Sequence, residues 1–211
     1  NGQTLARLID SKPDLSEKEI LTITIQILDA LEYIHNRGII HLDLNPCNIF
    51  IDDQNGVQLL DFGISLSEEE AQQLPEGRII GTIPFLAPEQ MGFTGFKIDT
   101  RTDLYCTAII LYRLLSGTFP FIDFHDKSTF SELLNSTLKR DLKPIKKINS
   151  TINAIILKAL KPTPYDRYQT AEGFKADLQY ALQEIDCKTD DVFLIGQKDA
   201  IAVINRKKIF V

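Results

Sequence analysis

The sequence predicts an α+β domain that is mainly helical and carries one small β-hairpin. Residues 16–36 and 101–116 distribute their apolar side chains as helices do. Residues 49–52 and 57–60 instead form short apolar pieces on either side of a turn at Asp52–Gly56. A chain of 211 residues, 44% hydrophobic and 25% charged, is long and apolar enough for one substantial core.

In chain order, residues 1–10 read as a short helix, broken by Ser11-Lys12-Pro13-Asp14. Ser16 and Glu19 form a capping-box pattern ahead of Ile20, Ile23, Ile27, Leu28, Leu31 and Ile34, and Gly38 stops that helix. After the hairpin, residues 61–92 show no periodicity and carry the acidic run Glu68–Glu70. The segment RTDLYCTAIILYRLLS at 101–116 is apolar nearly all round, as a helix at the centre of a domain must be. Further helices are expected at about 128–138, 150–161 and 170–185, the last two separated by Pro162 and Pro164. The tail, VFLIGQKDAIAVINRKKIFV, reads as extended structure or as a connection to another domain. The division expected is therefore a domain over 1–187 and a tail or linker over 188–211.

The balance of 23 Lys and Arg against 29 Asp and Glu, net −6, argues against nucleic acid or an anionic membrane as the main partner. Cys47, Cys106 and Cys187 lack metal-ligand spacing and fit free thiols in a reducing compartment. No apolar run is long enough for a membrane span, and NGQTLARLID is neither a signal nor a transit peptide. A cytoplasmic protein is expected. The chain has no initiator methionine and reads as a piece of something longer.

The chemistry concentrates in His41-Leu42-Asp43-Leu44-Asn45-Pro46-Cys47-Asn48 and in Asp61-Phe62-Gly63. Phosphoryl transfer asks a protein mainly to position groups and neutralise charge. Asp43 offers a carboxylate to accept a hydroxyl proton, while Asn48 and Asp61 offer hard oxygens suited to Mg²⁺ beside phosphate. A hairpin between the two motifs can bring the three groups together. Alone, each piece is weak: a lone Asp-Phe-Gly is as readily a strand-end turn, and a loop aspartate is usually solvated.

Together, in this order, the motifs resemble the catalytic and magnesium loops of eukaryotic-type serine/threonine protein kinases. The resemblance implies Asp43 as catalytic base, Asn48 and Asp61 as Mg²⁺ ligands, Phe50 beneath the adenine of ATP, and a protein Ser or Thr as acceptor. Gly81-Thr82-Ile83-Pro84-Phe85-Leu86-Ala87-Pro88-Glu89 is similar to the end of a kinase activation segment, with Glu89 expected to pair with Arg167. Asp103 matches the aspartate that braces the catalytic loop, with an N-cap role as the plainer alternative. His41 and Phe62 resemble the packing residues that align the site. The peptide-binding segment argues against small-molecule phosphotransferases of the aminoglycoside kinase type, which share the catalytic loop.

Two residues depart from the family pattern. Leu42 replaces the arginine that meets a phosphorylated activation loop, so activity is expected not to require that phosphorylation. Asn45 replaces the lysine that steadies the γ-phosphate; its amide still donates a hydrogen bond but brings no charge. The loop and the tail are most similar to bacterial kinase domains joined to ATPase and sensor arrays. The resemblance spans about residues 1–185 and implies a C-terminal lobe alone. No glycine-rich phosphate loop, Val-Ala-x-Lys strand or partner helix glutamate precedes it, and Gly2 falls just after the hinge between lobes. The alternative is a pseudokinase or scaffold that binds a protein partner, and further domains of a longer chain are expected as partners.

Overall fold

The computed structural model describes residues 1–11, 14–75, 77–92, 94–121, 142, 144–186 and 193–209, with side chains through residue 203. The helix expected over 128–138 lies outside these residues.

The chain opens with a strand rather than a helix: β1, Gly2–Thr4, precedes α1, Leu5–Asp10. Thr4 is the reason for the late start, since its side chain caps the helix by accepting from the Arg7 amide. Gly2 is what lets β1 lie on the next strand. A Cβ there would stand 2.5 Å from the Ile51 carbonyl oxygen and 2.6 Å from the Phe50 ring.

Helix α2, Glu17–His35, starts at the expected capping box, in which Ser16 and Glu19 satisfy each other's amides. Strands β3, Ile49–Asp52, and β4, Val57–Leu59, form the expected hairpin, and β1 joins its other edge to give the antiparallel order β1-β3-β4. The turn is held by Asp52, whose Oδ1 accepts from the amides of Gln54 and Gly56. Along β3, Ile49 and Ile51 are buried while Phe50 and Asp52 are half-buried on the opposite face, the period of two that places a strand between core and cleft. A second antiparallel pair joins β2, Ile39–Ile40, to β5, Leu66–Ser67, which leads into α3, Glu68–Gln72.

Helix α4, Thr100–Ser116, is buried continuously from Thr102 to Tyr112, as its all-round apolar sequence requires. Asp99, not Asp103, is its N-cap. Helix α2 packs on α4 and, more extensively, on α6, Ala171–Asp186, with α5, Ser150–Ala159, alongside. One large core unites these helices with the inner face of β3. A smaller cluster of Ile40, Leu42, Ala71 and Ile98, with Leu66, Leu74 and Ile80 against it, lies under the 61–92 segment.

The tail differs from expectation. Residues Gln197–Ile209 form a helix, α7, which packs on α6 where extended structure or a connection was expected. Among the described residues, no helix is long and apolar enough to cross a membrane.

Candidate active site

The loop 41–48 is shaped by one buried carboxylate. Asp103, inside α4 and fully buried, accepts the His41 amide on Oδ2 at 2.9 Å and the Leu42 amide on Oδ1 at 3.0 Å. The His35 ring donates to the same Oδ2 at 2.8 Å. Leu42 lies in the left-handed region, φ 68°, a conformation unfavourable for a leucine. The two amide bonds to Asp103 hold it there, and the Leu42 carbonyl accepts from Gln90 Nε2 at 2.6 Å. This settles the sequence ambiguity at Asp103 in favour of bracing.

Asp43 then projects with every oxygen engaged. Its Oδ1 accepts from the Thr82 hydroxyl at 2.5 Å and its Oδ2 from Asn48 Nδ2 at 3.0 Å. Its backbone carbonyl accepts from the side-chain amides of Asn45 and Asn48 at 3.0 and 2.9 Å. Because Asn48 spends its amide nitrogen on Asp43, its carboxamide oxygen is the atom turned elsewhere. Asn45 is only 4% exposed. Its Oδ1 caps the short 3-10 turn Pro46–Asn48 by accepting from the Cys47 amide, and its Nδ2 also reaches Thr82 Oγ1 at 3.3 Å. Asn45 therefore faces inward, onto Asp43 and Thr82.

The hairpin returns Asp61 to this loop. The Leu60 amide donates to the Asn48 carbonyl at 2.8 Å, and the His41 Nε2–H donates to the Leu60 carbonyl at 3.0 Å. Asp61 follows at φ 57°, exposed, with Oδ1 accepting from the Gly63 amide at 3.1 Å. Phe62 packs on the His41 ring, centroids 4.9 Å apart. The backbone leading into Asp61 is thus bonded to Asn48, whose side chain in turn holds Asp43. Phe50 stands two residues past Asn48, paired with Thr4 and Gln58 across the sheet.

The segment 77–92 closes over the loop. Gly81, φ 111°, passes so close that a Cβ would meet the Leu42 carbonyl oxygen at 2.8 Å. Glu89 and Arg167 form a two-pronged ion pair at 2.7 and 2.8 Å, with side chains at most 1% exposed. The Thr102 hydroxyl adds a third bond to Glu89, and the carbonyls of Lys161 and Pro162 complete the arginine. Burial pushes the neighbouring Tyr105 phenol and Cys106 thiol up, so both stay neutral beside the pair.

Gln90 was not anticipated from the sequence. Its side chain ties Leu42 and Ile80 carbonyls to the Ala87 amide, joining loop to segment. Its position after Ala87-Pro88-Glu89 was the only available signal. Among the described residues there is no group of three or more His, Cys, Asp or Glu side chains placed to hold a metal. Any ion at this edge would take Asp61 and the Asn48 oxygen plus ligands from outside, the habit of Mg²⁺ bound beside phosphates.

The sequence profile of the protein kinase domain matches residues 1–178. The chain belongs to the protein kinase family. This kinase chain is 36% identical over 178 residues to serine/threonine-protein kinase Pkn1 of Myxococcus xanthus, covering 81% of this chain and 25% of that protein. It is 35% identical over 191 residues to pkn3 of the same organism, covering 84% and 34%. It is 32% identical over 182 residues to PknB of Mycobacterium leprae, covering 84% and 28%. The kinase chain spans only 25% to 34% of the length of these relatives, all named serine/threonine-protein kinases.

Proposed function

We propose that the chain carries the catalytic-loop half of a cytoplasmic serine/threonine protein kinase that transfers the γ-phosphate of ATP to protein Ser or Thr hydroxyls. The observation that carries this reading is the convergence on Asp43. Its carboxylate is held by Thr82 and by Asn48, and the Asn48 carbonyl accepts the amide of Leu60, the residue before Asp61, at an edge overhung by the 77–92 segment.

In the proposed step, the substrate hydroxyl oxygen bonds to the γ-phosphorus while the bond to the β–γ bridging oxygen breaks. The hydroxyl proton goes to Asp43 and ADP leaves with the bridging oxygen. Thr82 and Asn48 fix the rotamer of that carboxylate, so its remaining lone pairs face the incoming hydroxyl. Mg²⁺, when bound, supplies charge neutralisation for the phosphates. Asn48 and Asp61 are the residues that would hold it, and Phe50 would support the adenine. Asn45, facing inward, acts by positioning Asp43 rather than by touching phosphate.

An exposed apolar strip, Leu60 at 37%, Phe62 at 45% and Ile64 at 42%, flanks Asp61. It supports the inference that a further lobe, bearing a glycine-rich loop and a strand lysine, seats on this edge. Transfer from labelled ATP–Mg²⁺ to a mixed protein substrate, followed by phosphoamino acid analysis, tests the reading. Phosphoserine and phosphothreonine are expected, and phosphotyrosine as the main product would refute it.

One observation favours the scaffold alternative: Asn45 turns inward where the family pattern has a lysine. A folded, lobe-complete chain that binds a protein partner but transfers nothing would establish that alternative.

A further inference from the structure

The tail helix is docked by a carboxylate that the kinase reading does not use. Asp199, on α7 and 3% exposed, accepts the Gln169 amide on Oδ2 at 2.9 Å and the Thr170 amide on Oδ1 at 2.9 Å. The Thr170 hydroxyl donates to the same Oδ1 at 2.9 Å while accepting the Gly173 amide at the start of α6. The approach is close enough to exclude any side chain at Gly173. A Cβ there would lie 2.3 Å from the Asp199 Cβ, so a glycine stands inside a helix it would otherwise weaken. Docking is reciprocal, for Asp177 on α6 accepts the Gly196 amide of the tail at 2.7 Å and the Tyr168 hydroxyl at 2.6 Å.

From Asp199 a continuous set of bonds leads to the activation segment. Gln169, whose amide Asp199 holds, donates through Nε2 to the carbonyls of Pro164, Tyr165 and Arg167. Its Oε1 accepts Arg101 Nη1 at 2.8 Å. The loop so folded presents Arg167 to Glu89, which ends the segment lying over Asp43.

We propose that Asp199 is a positioning residue for phosphate transfer. It fixes the 162–170 loop, and through the Arg167–Glu89 pair it fixes the 81–91 segment that receives the protein substrate. The tail from 194 to 203 is then part of the kinase unit, although the family match ends at residue 178. The assignment rests on the kinase reading above.

The test compares the full natural chain with its Asp199→Asn variant, which keeps shape but turns an amide donor toward an amide. Hydrogen exchange is expected to be about 10-fold faster at the amides of Ile80, Phe85 and Gln90, and unchanged at Asp52 and Leu60. In transfer assays the KM for a peptide substrate is expected to rise about 5-fold while that for ATP stays within about 2-fold. Faster exchange confined to residues 169–173 and 194–203, or equal changes in both KM values, would overturn the proposal. Should Asp199→Asn fail to fold, Thr170→Val, which removes one hydroxyl donor, is put through the same comparison with the same deciding regions. A full natural chain, lobe included, that folds but transfers nothing would remove the kinase reading, and the exchange comparison would still decide the role of Asp199.

Discussion

The Thr82 hydroxyl donates to Oδ1 of Asp43 at 2.5 Å, linking the 77–92 segment directly to the candidate base. The bond gives Asp43 a fixed rotamer but uses a lone pair, so Thr82 both orients the carboxylate and restricts where a substrate hydroxyl can approach. Replacing Thr82 by Val should lower kcat about 10- to 100-fold with little change in nucleotide affinity. Thr82→Ser should retain most activity. Steady-state transfer kinetics on the two variants check this.

Phosphorylation of Thr82 should abolish transfer rather than stimulate it, because a phosphate would face the Asp43 carboxylate across a hydrogen-bond distance. Leu42 offers no cation to receive that charge: it is 1% exposed, in an apolar cluster with Ile40, Ala71 and Ile98. Activity of chain phosphorylated at Ser65, Ser67 or Thr82, against phosphatase-treated chain, measures this. A gain at any of the three positions contradicts the account.

Leu42→Arg should not restore phosphorylation dependence. It would place a cation in that cluster at a cost of about 2–4 kcal/mol. Urea denaturation with a lowered midpoint and unchanged slope is the expected record.

The Glu89–Arg167 pair is buried on both sides, so removing one partner leaves an uncompensated charge. Arg167→Met alone should destabilise the domain by about 3–5 kcal/mol, and the double variant Glu89→Leu with Arg167→Met by clearly less. A double-mutant cycle in urea gives the coupling directly.

Features that repeat within one or two helical turns were legible in the sequence. The Ser16–Glu19 capping box and the all-round apolar run of α4 announce themselves because a helix brings residues three and four apart together. The candidate site was legible for a different reason: Asp43, Asn48 and Asp61 keep the order and spacing of a known family. What was hidden depends on contacts across the chain. Strand β1 is three residues long and exists only by pairing with β3, so no local period marks it. Asn45, held locally by Asp43 and Cys47, also meets Thr82 37 positions away, a contact no local pattern marks. The tail helix has little apolar pattern of its own and is held by Asp199 against residues 29 and 30 positions earlier. Gly173, near the start of α6, is a local trace of that contact, since a Cβ there would meet Asp199.

In the proposed reaction Asp43 takes the proton from a protein hydroxyl during transfer from ATP. Phosphate transfer from labelled ATP–Mg²⁺ by a chain extended upstream through any N-terminal lobe, beside its Asp43→Asn variant, decides this role. The account predicts transfer by the extended chain and a loss of at least about 10²-fold in the variant, with ATP affinity retained. Undiminished transfer by Asp43→Asn, or none from a correctly folded extended chain, would contradict it.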